Sequence, residues 1–445
     1  MFGSAKIKKK ISSSQVIILG FTGVILLGAF LLMLPFSSRE GRVTSFFDAL
    51  FTATSAVCVT GLVVRDTATY WSVFGQAIIL LLIQIGGMGV ITVAASFSMF
   101  SGKKISLMQR STMQEAISAP TLNGIVRLTG FIIKGTLLIE LVGALAMVPV
   151  FYQDFGSRGI WMAFFHSISA FCNAGFDLMG TPGGEFASLT RYNVQPLINV
   201  VVMLLIIIGG IGFLTWEDIC TNKLRFRKYR MQTKVILSTT ALLLIVPWLF
   251  YFFIEFSDQS MKERVFHSLF QTVTPRTAGF NTVDLTTLSD PGQWITLFLM
   301  LIGGCPGSTA GGMKTTTLAV LLCSAVATFR QKEDTQMFGR RIDISAVRNA
   351  ATILMMYLTL FFFGALVIST VEGLPMFSCL FETASAVGTV GLSLGLTPSL
   401  GAVSRIILIL LMFFGRVGGL TLIFAAFSGV KKTPSRLPQD KITVG

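Results

Sequence analysis

Residues 51–62 read FTATSAVCVTGL, and three later stretches can be laid over them: FHSISAFCNAGF at 165–176, FQTVTPRTAGF at 270–280 and FETASAVGTVGL at 381–392. The first, second and fourth each carry a Phe, a Ser four residues on and a Gly six residues beyond that, followed by Leu or Phe. The third keeps the pattern with Thr274 in place of Ser and one residue fewer before Gly279. One such match would be noise. Four at regular intervals indicate an internal repeat.

Each short stretch lies between two long apolar runs. The first runs are roughly Val16–Pro35, Ile125–Tyr152, Val235–Phe256 and Ala350–Val371, and the second are roughly Trp71–Phe100, Val194–Trp216, Trp294–Phe329 and Ser404–Phe427. Their length suits a crossing of about 30 Å of hydrocarbon at 1.5 Å per helical residue. The expected fold class is an all-α membrane protein. Four parallel-oriented helix–pore-loop–helix repeats, with eight transmembrane spans and four re-entrant pore loops, would surround one central pore. The second runs share a glycine mark, Gly86-Gly87-Met88-Gly89 and Gly209-Gly210-Ile211-Gly212, with variants at Gly303-Gly304-Cys305-Pro306-Gly307 and Gly415-Arg416-Val417-Gly418. Close helix packing through small residues would account for one of these. Recurrence after every short stretch points to a shared bend or narrowing.

Composition agrees. Of 445 residues 53% are hydrophobic and 13% charged, about half the usual charged share, with mean hydropathy +0.75. A net charge of +14 could suit nucleic acid, but no nucleic-acid module is present and the cations cluster between apolar runs. Lys103, Lys104 and Arg110, then Lys223, Arg225, Arg227, Lys228 and Arg230, then Arg330, Lys332, Arg340 and Arg341 fall on one side by the positive-inside rule, together with the N-terminal lysines and the tail. Both termini are therefore expected in the cytoplasm, and all four short stretches enter from outside. The run after Lys6–Lys10 is longer than a signal-peptide core and is expected to be retained. The six cysteines form no CxxC pair, which argues against zinc or structural disulfides. The units divide as a cytoplasmic segment 1–11, repeats at 12–110, 111–230, 231–345 and 346–430, and a cytoplasmic tail 431–445.

An apolar stretch of a dozen residues that enters and leaves on one side must place non-helical backbone at membrane depth. That is tolerated only inside protein or along a wet cavity. A short helix would aim its negative C-terminal end at the centre, and the extended residues beyond would offer carbonyls able to replace an ion's hydration shell. Gly suits the turn because it tolerates positive φ and close approach. Four such loops make a ring that attracts cations.

The strings VTGL at 59–62, CNAGF at 172–176, RTAGFN at 276–281 and GTVGL at 388–392 resemble the filters of the Trk/Ktr/HKT superfamily of potassium transporters, and the eight-span length looks most like the bacterial Ktr membrane subunit (KtrB-like). The resemblance implies potassium uptake across the bacterial plasma membrane, with K+ held by filter carbonyls from Val59, Thr60, Gly61, Asn173, Ala174, Gly175, Thr277, Ala278, Gly279, Thr389, Val390 and Gly391. Some sodium-selective relatives carry Ser at the first filter position, where Gly61 favours potassium. The family also interrupts the second span of its third unit with a flexible intramembrane loop. Gly303, Gly304, Cys305, Pro306, Gly307, Ser308, Thr309, Ala310, Gly311, Gly312, Met313 and Lys314 fit that loop, and Arg416 fits the buried arginine that meets it; together they read as a gate. The resemblance further implies a homodimer in the lipid bilayer, docked on a separate cytosolic nucleotide-binding regulatory ring (KtrA-like), possible Na+ dependence, and no covalently bound cofactor.

Other readings are weaker. A sodium-permeable transporter of the same fold remains the nearest alternative. An inverted-repeat secondary transporter would need repeats of alternating orientation, whereas these run in parallel. Residues 307–315 approach a P-loop, but Met313 separates the Gly from Lys314. Ser308 with His166 or His267 could suggest a hydrolase, but both histidines sit with the outer stretches, so no enzyme is expected. Arg276, beside the filter, is expected to point away from the axis toward Asp284 or Glu263. Lys134 reads as a snorkelling cation, Glu140 is open between packing and function, and Asp284 reads as a solvated loop carboxylate.

Overall fold

The computed structural model describes residues 12–100, 105–117, 121–223, 225–426 and 438. The expectations placed on segment 1–11, on Lys103 and Lys104, and on the tail apart from 438 fall outside the described residues.

The four first runs become the four longest helices: α1 (Ser13–Met33), α6 (Ile125–Phe155), α10 (Met231–Phe250, continued by a π-turn over Tyr251–Glu255) and α14 (Ile344–Glu372). Local chemistry sets their starts. Ser12 and Gln15 form a capping box on α1, and the Asp343 carboxylate accepts from the Ser345 amide at α14. All four are long and apolar enough to cross a bilayer, and only 28–39% of their apolar windows is buried inside the protein. The remainder includes Leu27, Phe30, Leu137, Leu138, Phe362 and Phe363, all more than half exposed. Such stripes are costly in water and unremarkable in lipid.

The short stretches form α2 (Phe46–Val57), α7 (Ser157–Phe171), α11 (Met261–Val273) and α15 (Met376–Gly388). At 12–15 residues they reach roughly 18–22 Å, short of the hydrocarbon thickness. Each is packed between two neighbours, and residues 58–62 beyond α2 are all buried, with Cys58, Val59, Thr60 and Leu62 under 2% exposed.

The second runs are broken, and the breaks fall at the glycine mark. α3 (Val73–Met88) turns by 97° into α4 (Val90–Phe100), and α8 (Pro196–Gly210) turns by 97° into α9 (Phe213–Asn222). In the third unit, α12 (Asp290–Leu301) and α13 (Thr315–Phe329) are separated by a thirteen-residue loop, 302–314. In the fourth, α16 (Ala402–Val417) breaks before α17 (Gly419–Ala426). The pivots are Gly89, Gly212 and Gly418, with φ/ψ of 85/131°, 92/140° and 86/133°. Only glycine adopts this backbone without strain, so the recurring glycine mark is a bend. By length and composition, four helices can cross a membrane, or six if each strongly bent pair counts as one. α5 (Leu107–Ile117) straddles position 110 and ties back to α1 through Ser14 Oγ donating to Glu115 at 2.5 Å. The short strands β1 (Gln336–Met337) and β2 (Arg340–Arg341) close a hairpin between α13 and α14.

The units are stitched by polar contacts at depth. Asp48 on α2 pairs with Arg405 on α16 at 2.7 Å and with Arg65 at 3.0 Å, joining the first unit to the fourth. Trp161 Nε1 donates to Gln76 Oε1 at 3.0 Å, and the Phe186 amide to Asp66 at 3.0 Å, joining the second to the first. All six cysteines are free.

A methyl group on Gly212 would stand 2.6 Å from the Pro306 carbonyl oxygen at a φ of +92°. Gly212→Ala should therefore lower unfolding stability in detergent by about 1–3 kcal/mol. Gly183→Ala, at φ +83° with nothing within 4 Å, should cost only the backbone term, about 1 kcal/mol. Denaturant melts of the two variants, read by near-UV signal, check the difference.

Candidate functional site

Each short helix ends in the same backbone figure. Val59, Asn173, Thr277 and Thr389 are left-handed, with φ of 56, 58, 71 and 53°, and two residues later Gly61, Gly175, Gly279 and Gly391 have φ of 90, 69, 81 and 94°. A left-handed β-branched residue is a genuine outlier, and three of the four units hold one here. Strain of this kind persists only where surroundings over-determine it.

The repeated hydroxyl supplies that determination. Ser55 Oγ accepts from the Gly61 amide and Ser385 Oγ from the Gly391 amide, each at 3.0 Å. Ser169 Oγ donates to the Phe176 carbonyl at 2.7 Å and Thr274 Oγ1 to the Phe280 carbonyl at 2.6 Å. The same four residues accept backbone bonds from Thr60, Ala174, Gly279 and Val390. Sequence reading had seen this residue as part of the repeat without giving it a job. The fixed Ser-to-Gly spacing was the signal.

The four turns meet. A methyl on Gly61 would lie 2.5 Å from the Ala174 carbonyl oxygen and 3.1 Å from the Gly175 Cα. On Gly175 it would lie 2.7 Å from Ala278 O and 3.1 Å from Gly279 Cα; on Gly279, 2.3 Å from Val390 O and 3.2 Å from Gly391 Cα; on Gly391, 2.3 Å from Thr60 O and 3.0 Å from Gly61 Cα. The sequence of contacts closes on itself, so the four glycines form a ring of touching backbones. The Asn173 amide and Thr277 hydroxyl, 3.2 Å apart, link the second and third turns.

On one side of the ring a cavity of about 610 Å³ is lined by all four glycines with Asp66, Asp177, Asn281, Asp284 and Ser393. On the other, a cavity of about 280 Å³ is lined by Gly87, Glu115, Gly307, Ser308, Lys314 and Arg416. Loop 302–314 lies between them. Its backbone is bonded on several sides: Gly303 N to Met313 O, Cys305 N to Gly210 O, Thr309 N to Gly209 O, Gly312 N to Gly415 O, and Phe213 N to Gly307 O, at 2.7–3.2 Å. Thr309 Oγ1 donates to the Phe171 carbonyl at 3.0 Å. Ala310 and Gly311 accept from Lys314 Nζ at 2.8 and 3.3 Å. Arg416 donates to the carbonyls of Thr309, Gly86 and Gly87. Methyls on Gly311 and Gly312 would strike Thr389 Oγ1 and Gly388 O, which puts the loop directly against the fourth turn. Pro306 and Met313 complete the loop, whose ends pair at Ile302 and Met313.

Arg276 departs from expectation. It is 8% exposed and lies beside Ile206, Leu244, Val273 and Gly304, and among the described residues it pairs with neither Asp284 nor Glu263. Glu263 caps Ser260 at the far end of α11, about 20 Å away along the helix, and Asp284 caps its own turn through Thr286. Glu140 is buried and takes hydrogen bonds from Gln84 at 3.2 Å and Cys172 at 3.8 Å, behind the second turn. Lys134 is exposed. His166 is satisfied by the Met162 carbonyl at 2.7 Å and the Leu178 amide at 3.3 Å, while Ser308 Oγ donates to the Cys305 carbonyl; no Ser–His pair forms among these residues. Among the described residues no cluster of three or more His, Cys, Asp or Glu could hold a metal.

The helices and the ring of backbone turns define a multi-pass membrane protein with its polar backbone gathered at the centre. Residues 9–437 match the TrkH family model, described as a cation transport protein, and the chain belongs to that family. It is 41% identical to the potassium/sodium uptake protein NtpJ of Enterococcus hirae, over 99% of both chains. It is 40% identical to the Ktr system potassium uptake protein B of Bacillus subtilis over 97% of this chain and 96% of that one, and 34% identical to the protein of the same name from Vibrio alginolyticus over 98% and 96%. The crystal structure of the potassium transporter TrkH from Vibrio parahaemolyticus shares the fold, with a TM-score of 0.74 at 21% identity, covering 95% of this chain and 86% of that one.

Ser385→Ala leaves the half-buried Gly391 amide without its acceptor, a loss of about 1–3 kcal/mol. Amide exchange across residues 388–392 should then quicken roughly tenfold or more. Ser385→Thr, which keeps the hydroxyl, should restore protection. Hydrogen–deuterium exchange read by mass spectrometry checks both.

Proposed function

We propose that this chain is the ion-translocating membrane subunit of a Ktr-type potassium uptake system. Carbonyls of residues 59–61, 173–175, 277–279 and 389–391 act as its filter, and loop 303–314 with Arg416 acts as its gate. The observation that carries the reading is the closed ring of Gly61, Gly175, Gly279 and Gly391. Four strained turns bring their backbones, with the carbonyl oxygens of Thr60, Ala174, Ala278 and Val390, together with no side chain between neighbours, an arrangement suited to replacing the water of a monovalent cation. The names of the full-length relatives support potassium as the ion.

In this reading each unit crosses the plasma membrane twice. Its second crossing is a broken helix, giving eight spans for units 12–110, 111–230, 231–345 and 346–430, with both termini in the cytoplasm. The wider cavity with Asp66, Asp177 and Asp284 is the outer vestibule and the narrower one the cytoplasmic exit. The gate closes the path because loop 303–314 sits against the filter turns and Arg416 holds the Thr309 carbonyl. A guanidinium without a carboxylate needs such carbonyl partners at depth. The functional unit is a homodimer on a separate nucleotide-binding ring, which meets the basic loops and carries any nucleotide. Sodium permeation is the second reading, favoured by the printed name of the Enterococcus hirae relative.

Purified protein in liposomes should take up rubidium or potassium in preference to sodium. Gly279→Asp, which adds bulk and charge 2.3 Å from the Val390 carbonyl, should abolish uptake, and Gly61→Ser should weaken the preference about tenfold. Equal uptake of sodium by the unaltered chain would establish the second reading. Folded protein without cation flux, even with a regulatory ring supplied, would remove the filter assignment.

Removing Gly303–Gly312 should raise uptake by the chain alone at least several-fold. Unchanged or lower flux in that variant overturns the gate.

A further inference from the structure

The residue after each repeat's Phe stands three positions before the hydroxyl that pins the filter turn. Thr52, His166, Gln271 and Glu382 precede Ser55, Ser169, Thr274 and Ser385 in this way. Residues three apart share a helix face, so each short helix carries a second polar side chain beside the first. In two units that side chain reaches past the filter glycine. His166 Nε2 accepts from the Leu178 amide at 3.3 Å. One carboxylate oxygen of Glu382 accepts from Ser393 Oγ and the other from Thr397 Oγ1, the latter at 2.6 Å. In the other two units it turns elsewhere. Thr52 Oγ1 donates to the Asp48 carbonyl of its own helix at 2.9 Å, and Gln271 Nε2 donates to Thr296 Oγ1 on α12 at 3.1 Å. The glycine contacts run from the first unit to the second, third, fourth and back, so the second and fourth units stand opposite each other.

His166 and Glu382 are both 0% exposed. His166 Nδ1, 2.7 Å from the Met162 carbonyl, must donate, and Nε2, facing an N–H, must accept. The imidazole is thereby fixed as one neutral tautomer. It lies against Phe151 and, across the unit boundary, against Phe280 beside the Gly279 turn. Among the described residues no Lys or Arg pairs with Glu382. A buried carboxylate is costly unless its hydrogen bonds are made, so it keeps hold of both hydroxyls.

What these contacts hold is the wall of the cavity beyond the ring. Asp177 and Ser393 each come two residues after a ring glycine, and with Thr397 they line the cavity of about 610 Å³. Leu178, bonded by His166, directly follows Asp177, whose carboxylate also takes the Met179 amide at 3.0 Å. Ser393 Oγ in turn accepts from the Gly395 amide at 2.9 Å.

We propose that His166 and Glu382 are positioning residues for ion capture, holding Asp177 and Ser393 at the mouth of the filter so that side-chain oxygens receive a cation before the ring does. The proposal rests on the filter reading above. It assigns the shape of the mouth to two opposite units, through anchors distinct from the Ser169 and Ser385 hydroxyls that shape the ring.

The test uses the full chain in liposomes, with initial rates of rubidium uptake over a concentration series and amide exchange read by mass spectrometry. Glu382→Gln keeps the shape but turns an amide N–H toward one of the hydroxyls, and His166→Phe keeps a ring but loses the acceptor. Each should raise the KM for rubidium about tenfold, the scale of one hydrogen bond lost from a buried group, with Vmax within about twofold of the unaltered chain. Exchange should quicken over 393–397 in the first variant and over 177–180 in the second, and stay unchanged over 59–61 in both. His166→Gln, whose amide oxygen can accept from Leu178, should recover most of the affinity. Thr52→Val, at the same repeat position in a unit where the side chain bonds its own helix, should leave KM unchanged.

Faster exchange with an unchanged KM makes the two residues structural supports and overturns the proposal. A fall in Vmax well beyond that range places them on the ring instead, and overturns it equally. If the unaltered chain takes up no rubidium, or Gly279→Asp keeps full uptake, the filter reading falls and takes the mouth with it. Should either variant not fold, Ser393→Ala removes the hydroxyl that Glu382 holds and should give the same rise in KM; an unchanged KM there overturns the proposal.

Discussion

The structure depends on one close approach: four backbone turns meeting at four glycines with no room for a β-carbon. Everything nearby serves that contact. The short helices deliver the turns to the centre of the protein, and the hydroxyls of Ser55, Ser169, Thr274 and Ser385 pin the turns in a conformation their own residues resist. The left-handed Val59, Thr277 and Thr389 show how far local preference is overridden. The energy comes from neighbours, because in an apolar surrounding an unmade backbone hydrogen bond costs more than a strained dihedral.

The same shortage of water shapes the other half of the site. Loop 302–314 has almost no regular structure, so its amides and carbonyls must be met by other elements. They are met by glycine-rich turns at Gly209, Gly210 and Gly415, by Lys314, and by Arg416. Each of these partners belongs to a helix break or stands beside one. The bends at Gly89, Gly212 and Gly418 thus do more than admit close packing. They free carbonyls inside the protein, and those carbonyls are what Arg416 and the loop amides bind.

Much of this was legible in the residues. Apolar run lengths gave the helical membrane class, and superposing four short stretches gave the repeat and the glycines that prove to touch. The run Gly303–Lys314 was visible as a helix interruption because Pro306 and its glycines cannot continue a helix. Other features were not legible. The glycine mark pointed to a bend or narrowing, but the 97° turns of α3 and α8 were not readable, since hydropathy does not register a change of direction. The position of Arg276 was not legible either: it lies beside Ile206, Leu244 and Gly304 from other segments, not against the nearby carboxylates. The Asp48–Arg405 pair spans 357 positions and has no local signature.

The sequence by itself determined what period and composition encode: a membrane chain of four units, each with a short helix, a hydroxyl and a glycine at fixed spacing. Those are local properties, set by the helix rise, by the bilayer thickness and by the backbone freedom of glycine. Tertiary structure alone decided which partners meet. That Gly61 touches Gly175 and Gly391, that Thr309 receives Arg416, and that Gly304 lies beside Arg276 depend on how four units close around an axis. No single unit carries that information, because a closed ring is a property of all four backbones at once.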